Sequence, residues 1–269
     1  MLNNAGIGDN RKLDEKKVLK KITSFLNKEV KSRNAKCVVI GISGGIDSTV
    51  TAYLSAHSLG CDKVLGLLLP DYSVTPKIDV KHGLEISKKL NIKYELIDIG
   101  KGKKQFIKTF PKNKLAKANF LVRLRMAILY YYAAANGGIV VGTADKSELQ
   151  LGYFTKYGDG GADIFPIADL YKTEVRKIAS YLDVPQDIIK KQSSARLWKG
   201  QTAEGEIGVS YETIDKILYQ IDFDKILRNS PIPDILGVDE KDVRTVIDWI
   251  KNNRHKHELP VPKCKLTSK

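Results

Sequence analysis

The chain has 269 residues, of which 42% are apolar and 28% charged, a composition that suits one large globular domain with a core of ordinary size. No apolar run approaches the roughly 20 residues of a membrane span, and residues 1–10 lack an apolar signal core, so we expect no membrane segment and a flexible tail there. The net charge of +14 attracts polyanions, but the lysines are scattered over predicted helices without interleaved aromatic residues, which favours a solvated coat over a nucleic-acid-binding surface.

Apolar spacing predicts alternating helices and strands through the first half of the chain. The predicted helices are Leu13–Val30, Ser48–Leu59, Val80–Leu90 and a segment marked by the apolar positions between Leu121 and Tyr132. The predicted strands are Val38–Ile42, Val64–Leu69, Lys93–Ile99 and Ile139–Gly142. Strands that alternate with helices pair in parallel, so we expect an α/β fold with a Rossmann-like open parallel sheet and helices on both faces.

The pattern changes after residue 165, where helical spacing dominates and no further strand is predicted. The expected helices there span 170–182, 185–191, 210–221 and 239–255. No linker separates this helical C-terminal part from the sheet, so we expect a single domain over residues 1–269. The polar, glycine-containing stretch 193–208 has the composition of a mobile active-site lid, although an ordinary surface loop would look similar.

The three cysteines, Cys37, Cys61 and Cys264, are far apart and odd in number. Their spacing fits neither a zinc site nor a disulfide framework. A reducing cytoplasm is therefore the expected location.

The run from Val38 to Thr49 carries the strongest chemical signal. A buried strand leads into the tight turn Ser43-Gly44-Gly45, and a helix opens around Asp47. Backbone N–H groups and the positive end of a helix dipole converge at such a turn, which makes it a phosphate site. The lysine of a Walker A loop is missing, and the turn contains the carboxylate of Asp47 instead. Because a carboxylate repels a polyphosphate, the two can lie side by side only with a metal ion between them. The turn therefore predicts a nucleotide with magnesium, with an ordinary glycine turn as the alternative.

The turn Ser43–Ser48 resembles the SGGxDS signature of the PP-loop, or N-type ATP pyrophosphatase, superfamily. The resemblance implies an adenine nucleotide alpha hydrolase-like sheet and cleavage of ATP between its α and β phosphates. In an open α/β sheet ligands bind beyond the carboxyl ends of the strands, so the polar run Thr143–Glu148 should lie close to this turn.

A longer run narrows the resemblance to one family. Residues 142–148 read Gly-Thr-Ala-Asp-Lys-Ser-Glu, and residues 152–161 read Gly-Tyr-Phe-Thr-Lys-Tyr-Gly-Asp-Gly-Gly. Together with Leu170–Val175 and Leu197–Thr202 they resemble the ammonia-dependent NAD synthetases over roughly residues 15–260. The resemblance implies a magnesium-dependent enzyme that catalyses the last step of NAD biosynthesis. With ATP and ammonia it would convert deamido-NAD to NAD, AMP and pyrophosphate through an adenylated carboxylate. It would be a homodimer with no nucleic-acid or membrane partner.

Site roles follow from the same resemblance. The expected catalytic residues are Asp47, Glu148 and Lys172, of which the two carboxylates would bind magnesium. The residues implied in ATP binding are Gly41, Ile42, Ser43, Gly44, Gly45, Ile46, Asp47, Ser48, Thr143, Lys172 and Ser194. The residues implied in deamido-NAD binding are Arg123, Lys156, Asp163, His255 and Lys256.

Elementary physics bears on some of these roles. If Asp169 caps the helix after it, Lys172 lies in the first turn, where a cation opposes the helix dipole and suggests a nearby anion. Arg123 and Arg125 project about 200° apart on a helix, so we do not expect them to share one role. The resemblance favours Arg123 for the substrate, which leaves Arg125 for a salt bridge or a subunit contact. The pair His255-Lys256 at a helix end is equally explained by the dipole.

The lid departs from the family pattern. Residues 193–196 read Ser-Ser-Ala-Arg, without the common proline and glycine, and Ala144 excludes a side-chain base at its position. Glutamine-dependent relatives carry an additional amidase domain, for which this chain has no room, so free or separately supplied ammonia is implied. The alternatives are a tRNA-modifying PP-loop enzyme, favoured by the charge, and a non-catalytic nucleotide sensor.

Overall fold

A computed structural model describes residues 13–221 and 237–257. Within them the strands are β1 (Val38–Gly41), β2 (Val64–Leu68), β3 (Lys93–Leu96) and β4 (Ile139–Val141). The helices around the sheet are α1 (Glu15–Ser32), α2 (Ile46–Leu59), α3 (Lys77–Lys89), α4 (Ile99–Ile107) and α5 (Lys114–Asn136). Those that follow are α6 (Lys146–Leu151), α7 (Lys172–Tyr181), α8 (Gln186–Ile189), α9 (Ala203–Ile207), α10 (Tyr211–Gln220) and α11 (Glu240–Asn252). Short 3-10 turns cover Cys61–Lys63 and Arg254–Lys256.

The four strands form one parallel sheet in the order β3-β2-β1-β4. Val38 of β1 lies opposite Val64 on one side and Ile139 on the other, so β1 is an inner strand of the sheet. The predicted open parallel sheet is confirmed, as is the lack of a further strand in the described residues after 165. The turn after β1 and the turn after β4 therefore leave the sheet side by side.

Helices cover both faces of the sheet, as predicted. The helices α1, α2 and α7 bury one apolar cluster against one face, which includes Leu26, Ile40, Leu54 and Ile178. Helix α5 packs against β1 and β4 on the other face, where Val39, Leu121 and Val140 are buried. The later helices α9, α10 and α11 form a separate cluster around Tyr211 and Ile247. No helix within the described ranges is long and apolar enough to span a membrane.

One local prediction needs correction. The strand predicted at Lys93–Ile99 ends at Leu96, because the Asp98 carboxylate accepts a hydrogen bond from Gly100 N at 2.9 Å and starts α4. The polar run Thr143–Glu148 leads into α6, which begins at Lys146. The tail predicted at residues 1–10 lies outside the described residues.

Candidate active site at the carboxyl edge of the sheet

The turn between β1 and α2 has the geometry of a phosphate cradle. Gly44 adopts φ +75°, and a Cβ placed there would lie 2.1 Å from the carbonyl oxygen of Asp79, so no other residue fits. The Ser48 hydroxyl donates to Gly45 O at 3.1 Å and accepts from Ser43 N at 3.2 Å. These bonds fix the turn at the N-terminus of α2, where the helix dipole favours an anion.

A cavity of about 270 Å³ opens at this edge of the sheet. Most of the residues predicted for ATP and magnesium line it, namely Gly41, Ile42, Ser43, Gly45, Ile46, Asp47, Ser48, Thr143, Glu148 and Ser194. Two members of the predicted set lie behind the wall: Gly44 packs against Asp79, and the side chain of Lys172 is fully buried. The expected meeting of the turn after β1 with the turn after β4 is therefore present in the structure.

The Lys172 ammonium lies at the centre of three carboxylates. Its Nζ is 2.7 Å from Asp47 Oδ2, 3.0 Å from Asp145 Oδ2 and 3.0 Å from Glu148 Oε1. Burial alone lowers the pKa of Lys172, but the three negative charges outweigh it and raise that pKa well above its ordinary value. One cation is thus shared by three carboxyl groups beside the cavity.

Asp145 is a member of this cluster that the sequence reasoning did not identify. It is fully buried and caps α6, accepting from Glu148 N at 2.8 Å while the Glu148 carboxylate accepts from Asp145 N at 3.4 Å. Burial raises the pKa of Asp145 to about 7, and burial raises the pKa of Glu148 well above its usual range, although Lys172 opposes both shifts. An acid three residues before a glutamate is the capping-box pattern, so a sequence signal for Asp145 existed.

Helix α7 is held in place by buried groups from the helices around it. The predicted cap by Asp169 is wrong, because Tyr171 precedes the helix and Asp169 binds Lys146 on the surface. Lys172 N instead donates to Ser147 Oγ at 2.9 Å, and Thr173 N donates to Asp215 Oδ2 at 2.8 Å. Lys172 thus does lie in the first turn, as predicted, with its backbone anchored to α6 and α10.

The aromatic ring of Tyr211 completes the surroundings of Lys172. The ring is fully buried, and its centroid lies 5.2 Å from the ammonium nitrogen. A cation facing the π-system of an aromatic ring is stabilised electrostatically. The Lys172 side chain is therefore fixed on all sides in the described structure.

Four of the residues predicted for deamido-NAD form a connected group about loop 152–160. Arg123 Nε donates to Lys156 O at 3.1 Å, and Lys156 Nζ donates to His255 O at 2.7 Å. Lys256 Nζ donates to two carbonyl oxygens of the loop, at 2.6 and 2.7 Å. The structure thus brings Arg123, Lys156, His255 and Lys256 together, outside the residues that line the nucleotide cavity.

Asp163, the fifth residue of that set, lies apart from these contacts. Its Oδ2 accepts a hydrogen bond from Val140 N at 2.7 Å, which satisfies the outer edge of β4. Tyr130 OH lies 3.4 Å from the other carboxylate oxygen. These contacts give Asp163 a structural role at the sheet edge.

The structure places Arg125 differently from the sequence interpretation. Arg125 was assigned to a salt bridge or a subunit contact, but its side chain lines the nucleotide cavity and its Nε donates to Leu69 O at 3.1 Å. Burial lowers the pKa of Arg125 from its ordinary value, while Asp71 and Asp159 oppose that shift. A cation is therefore part of the cavity wall.

Residues 193–208, expected as a lid, fold into a compact loop that borders the cavity. Ser194 Oγ donates to Gln201 O at 2.6 Å, and Ala203 N donates to Ser193 O at 2.8 Å before the short helix α9. Tyr153, in the cavity wall, donates through its hydroxyl to Glu206 at 2.9 Å. The position of the loop 193–208 at the cavity agrees with a lid, while the mobility of the loop stays a prediction.

Residues 18–260 match the profile of the family described as NAD synthase. The NH(3)-dependent NAD(+) synthetase of Pyrobaculum aerophilum is 46% identical over 252 residues, which cover 92% of each chain.

Two solved structures are similar over almost the whole chain. The NMN synthetase of Francisella tularensis has a TM-score of 0.82 and 35% identity, over 93% of this chain and 99% of that one. The NH3-dependent NAD synthetase of Campylobacter jejuni has a TM-score of 0.77 and 31% identity, over 93% and 100%. With the family profile matched across the sheet, the phosphate turn and the later helices, the chain belongs to the NAD synthase family.

Proposed function

We propose that the protein is an ammonia-dependent NAD synthetase, which converts deamido-NAD, ATP and ammonia to NAD, AMP and pyrophosphate. The observation that carries the proposal is the phosphate turn at the head of α2, with Asp47 and Glu148 facing the same cavity. Family membership names the substrates that this geometry alone leaves open.

The chemistry begins with a carboxylate, which is a poor acyl donor because its oxygen is a poor leaving group. An oxygen of the deamido-NAD carboxylate attacks the α-phosphorus of ATP; a P–O bond forms, and the bond to pyrophosphate breaks. Ammonia then attacks the carbonyl carbon, the C–O bond to AMP breaks, and the surplus proton passes to solvent. Negative charge develops on phosphate oxygens in the first step, so positive charge and N–H donors should provide much of the stabilisation.

The chain's own residues divide these tasks. The turn Ser43–Ser48 at the start of α2 would receive the leaving pyrophosphate, and Thr143 and Ser194 border the same cavity. Lys172 holds the carboxylates of Asp47 and Glu148 in place from behind the wall. The group of Arg123, Lys156, His255 and Lys256 supports binding of the anionic deamido-NAD, whereas the part that Asp163 takes in this binding stays a prediction.

The carboxylates fit a magnesium ion. Asp47 Oδ1 is buried without a hydrogen-bond partner, and both Asp47 and Glu148 face the cavity, with about a fifth of each side chain exposed. Hard oxygen ligands are those that Mg²⁺ prefers, and the ion would neutralise charge on the polyphosphate. Among the described residues, no group of three or more His, Cys, Asp or Glu side chains is arranged to hold a metal ion. The carboxylates converge on the Lys172 ammonium instead.

Substitution Asp47→Asn tests the magnesium assignment. It should abolish most turnover and also remove the thermal stabilisation that Mg²⁺ adds to the protein in the presence of a non-hydrolysable ATP analogue. Unchanged turnover and unchanged stabilisation would show that Asp47 does not bind the ion.

A product assay tests the reaction as a whole. Incubation with deamido-NAD, ATP, Mg²⁺ and ammonium should yield NAD, AMP and pyrophosphate in equal amounts, and glutamine in place of ammonium should support little turnover. Release of ADP and phosphate would contradict adenylation of the carboxylate.

A second candidate follows from the structural similarity to the NMN synthetase of Francisella tularensis. The same chemistry applied to nicotinic acid mononucleotide, which lacks the adenylate half of deamido-NAD, would give NMN. Comparing kcat/KM for the two substrates under identical conditions separates the candidates. A higher value for the mononucleotide would replace the first proposal with the second.

A homodimer in the cytoplasm is part of the same proposal. An aromatic patch is formed by Phe106 of α4, Phe110 of the segment between α4 and α5, and Phe120 of α5. The Phe120 ring centroid lies 5.8 Å from that of Phe106 and 5.4 Å from that of Phe110, and Phe106 and Phe110 are about half exposed. An exposed cluster of aromatic side chains is characteristic of a protein interface. The patch supports pairing of two copies through these helices.

A further inference from the structure

Arg196 stands at the mouth of the nucleotide cavity in an unusual backbone conformation. It lies in the loop 193–208 with φ +51°, and its side chain is one of those that line the cavity. A long side chain at positive φ carries a conformational cost that glycine would avoid, and such strain persists only where other contacts compensate for it. The side chain of Arg196 must therefore make an interaction that offsets this cost.

One such interaction is an ion pair with a buried carboxylate. Arg196 Nε is 2.8 Å from Asp79 Oδ2, and Asp79 is only 4% exposed. Lys191 Nζ is 2.9 Å from the other oxygen of the same carboxylate and 2.7 Å from Gly44 O. Two cations thus share one carboxylate, and an excess of positive charge remains where both side chains line the cavity.

This arrangement is the opposite of the one around Lys172. There a single ammonium is surrounded by three carboxylates, so its charge is already matched before any anion arrives. A triphosphate needs positive charge that carboxylates of the protein have not already neutralised. Within the described part of the chain, the Arg196–Lys191 pair supplies such charge next to the phosphate turn.

Asp79 also joins this pair to the turn mechanically. Its carbonyl oxygen occupies the space beside Gly44 where a Cβ would lie, so the backbone of Asp79 is in contact with the phosphate turn. Its carboxylate holds Lys191, which precedes the loop 193–208, and Arg196, which lies within it. One residue therefore fixes the position of the cations relative to the N–H groups of the turn.

We propose that Arg196 and Lys191 contact the polyphosphate of ATP, and that Asp79 is the residue that positions them. The proposal rests on the proposed function, because it identifies further ATP contacts of the same site. Arg196 provides a planar guanidinium that can bind two phosphate oxygens at once, whereas Lys191 provides a point charge. Both side chains would bind the nucleotide before the chemical step. They would then stabilise the pyrophosphate as it leaves.

The test compares ligands with and without a polyphosphate in the full-length protein. Binding of α,β-methylene-ATP and of AMP is measured by isothermal titration calorimetry in the presence of Mg²⁺. Arg196→Gly should weaken binding of the ATP analogue about tenfold or more, since a charge-assisted contact is lost, while binding of AMP should change less than about twofold. Arg196→Lys should restore part of the affinity, because it keeps the charge without the planar fork.

A stability measurement separates this role from a structural one. Lys191 still pairs with Asp79 and glycine suits φ +51°, so Arg196→Gly should change the melting temperature little while the affinity for the analogue falls. Asp79→Asn should weaken binding of the analogue more than that of AMP. Lys190→Met is the matched control, because this neighbouring lysine is exposed and outside the cavity lining, and it should leave both affinities unchanged.

Two results would contradict the proposal in distinguishable ways. An Arg196→Gly protein that binds α,β-methylene-ATP as tightly as the unsubstituted protein overturns the role of Arg196 and leaves the proposed function intact. An unsubstituted protein that fails to bind the analogue overturns both.

Discussion

Lys172 shows how a single residue can be central to a site without facing the substrate. Sequence similarity placed it at a phosphate, and the structure places its ammonium among Asp47, Asp145 and Glu148. Removing one partner of a buried ion network leaves uncompensated charge and is costly, whereas the intact network contributes modestly. The energetic importance of Lys172 is therefore to neutralise carboxylates that the cavity needs.

Replacing Lys172 with methionine should lower the free energy of unfolding by about 3–5 kcal/mol at neutral pH, because three buried carboxylates lose their counter-charge. The raised pKa of Lys172 means that its stabilisation is complete below the unfolded-state pKa and is lost only above the folded-state pKa. Urea denaturation of both proteins measures the difference.

The pH dependence of the stability loss in Lys172→Met shows whether the carboxylates are coupled to Lys172. The raised pKa of Asp145, about 7, means that the folded state retains a proton that the unfolded state has lost. This group therefore destabilises the fold as the pH rises from the ordinary pKa of 3.8 towards about 7. Without Lys172 this effect should increase, and the cost of Lys172→Met should be larger at about pH 8 than at about pH 5. An equal cost at both would show that the carboxylates are not coupled to Lys172.

The sequence predicted the residues of the phosphate turn better than the partners of Lys172. Ser43–Ser48 is a local signal, since strand, turn and helix follow within a few residues. The contacts of Lys172 span 125 residues to Asp47, and the burial of Asp145 depends on helices that pack from elsewhere. The family resemblance assigns only Arg123 to the substrate, and the helix geometry that separates Arg125 from Arg123 does not say which of the two faces inward.

At the scale of elements, the strands were predicted well because buried parallel strands are continuous apolar runs. The exception is β3, an edge strand whose Lys93, Glu95 and Leu96 are exposed, so its end was set by the cap at Asp98 and not by its apolar pattern. Helix α4 was missed because it contains Gly100 and Gly102, which weaken helical propensity. Short helices such as α6 and α9 depend on caps more than on periodicity.

The phosphate turn provides a prediction at this scale. Gly44→Ala forces a side chain into φ +75° and into the carbonyl of Asp79, so it should reduce stability by about 1–2 kcal/mol or more and raise the KM for ATP. Gly102→Ala in α4 is the matched control, because nothing lies within 4 Å of its Cβ position. That substitution should stabilise the protein by about 0.5–1 kcal/mol with ATP kinetics unchanged. Equal effects of the two substitutions would remove the special role of the turn.

The junction of α6, α7 and α10 provides another. Asp215 is buried, accepts from Ser147 Oγ at 2.5 Å and from Thr173 N at 2.8 Å, and so caps the start of α7. Asp215→Ala leaves these donors unsatisfied and should cost about 1–3 kcal/mol per unpaired group. Thermal unfolding measures the loss, and Asp169→Ala, at an exposed position, should change stability little. A stable Asp215→Ala protein would show that the cap contributes nothing.

At the scale of the whole molecule, the site connects two apolar clusters that would otherwise meet only by packing. Asp47 belongs to α2 on the sheet, whereas Lys172 begins α7 and Tyr211 belongs to the cluster of later helices. The ion network at the site is thus also a link between the sheet and the C-terminal helices. A single cooperative unfolding transition, as expected of one domain, stays a prediction.

The aromatic patch predicts the assembly state. Phe110→Glu should introduce charge into the patch and shift the protein from dimer to monomer, as measured by light scattering after size-exclusion chromatography. Tyr181→Glu is the matched control, because Tyr181 is an exposed aromatic residue on α7 outside the patch. A dimer that persists in Phe110→Glu, or a monomeric unsubstituted protein, would contradict the proposed interface.

The strand order also has a consequence for synthesis of the chain on the ribosome. The inner strand β1 ends at Gly41, but its neighbour β4 begins only at Ile139, about 100 residues later. At a synthesis rate of about 5–20 residues per second, one edge of β1 remains unpaired for about 5–20 s until β4 has been made. During that interval the nascent sheet presents unpaired backbone groups beside an apolar core, which is the state that chaperones recognise and that aggregates when they are absent.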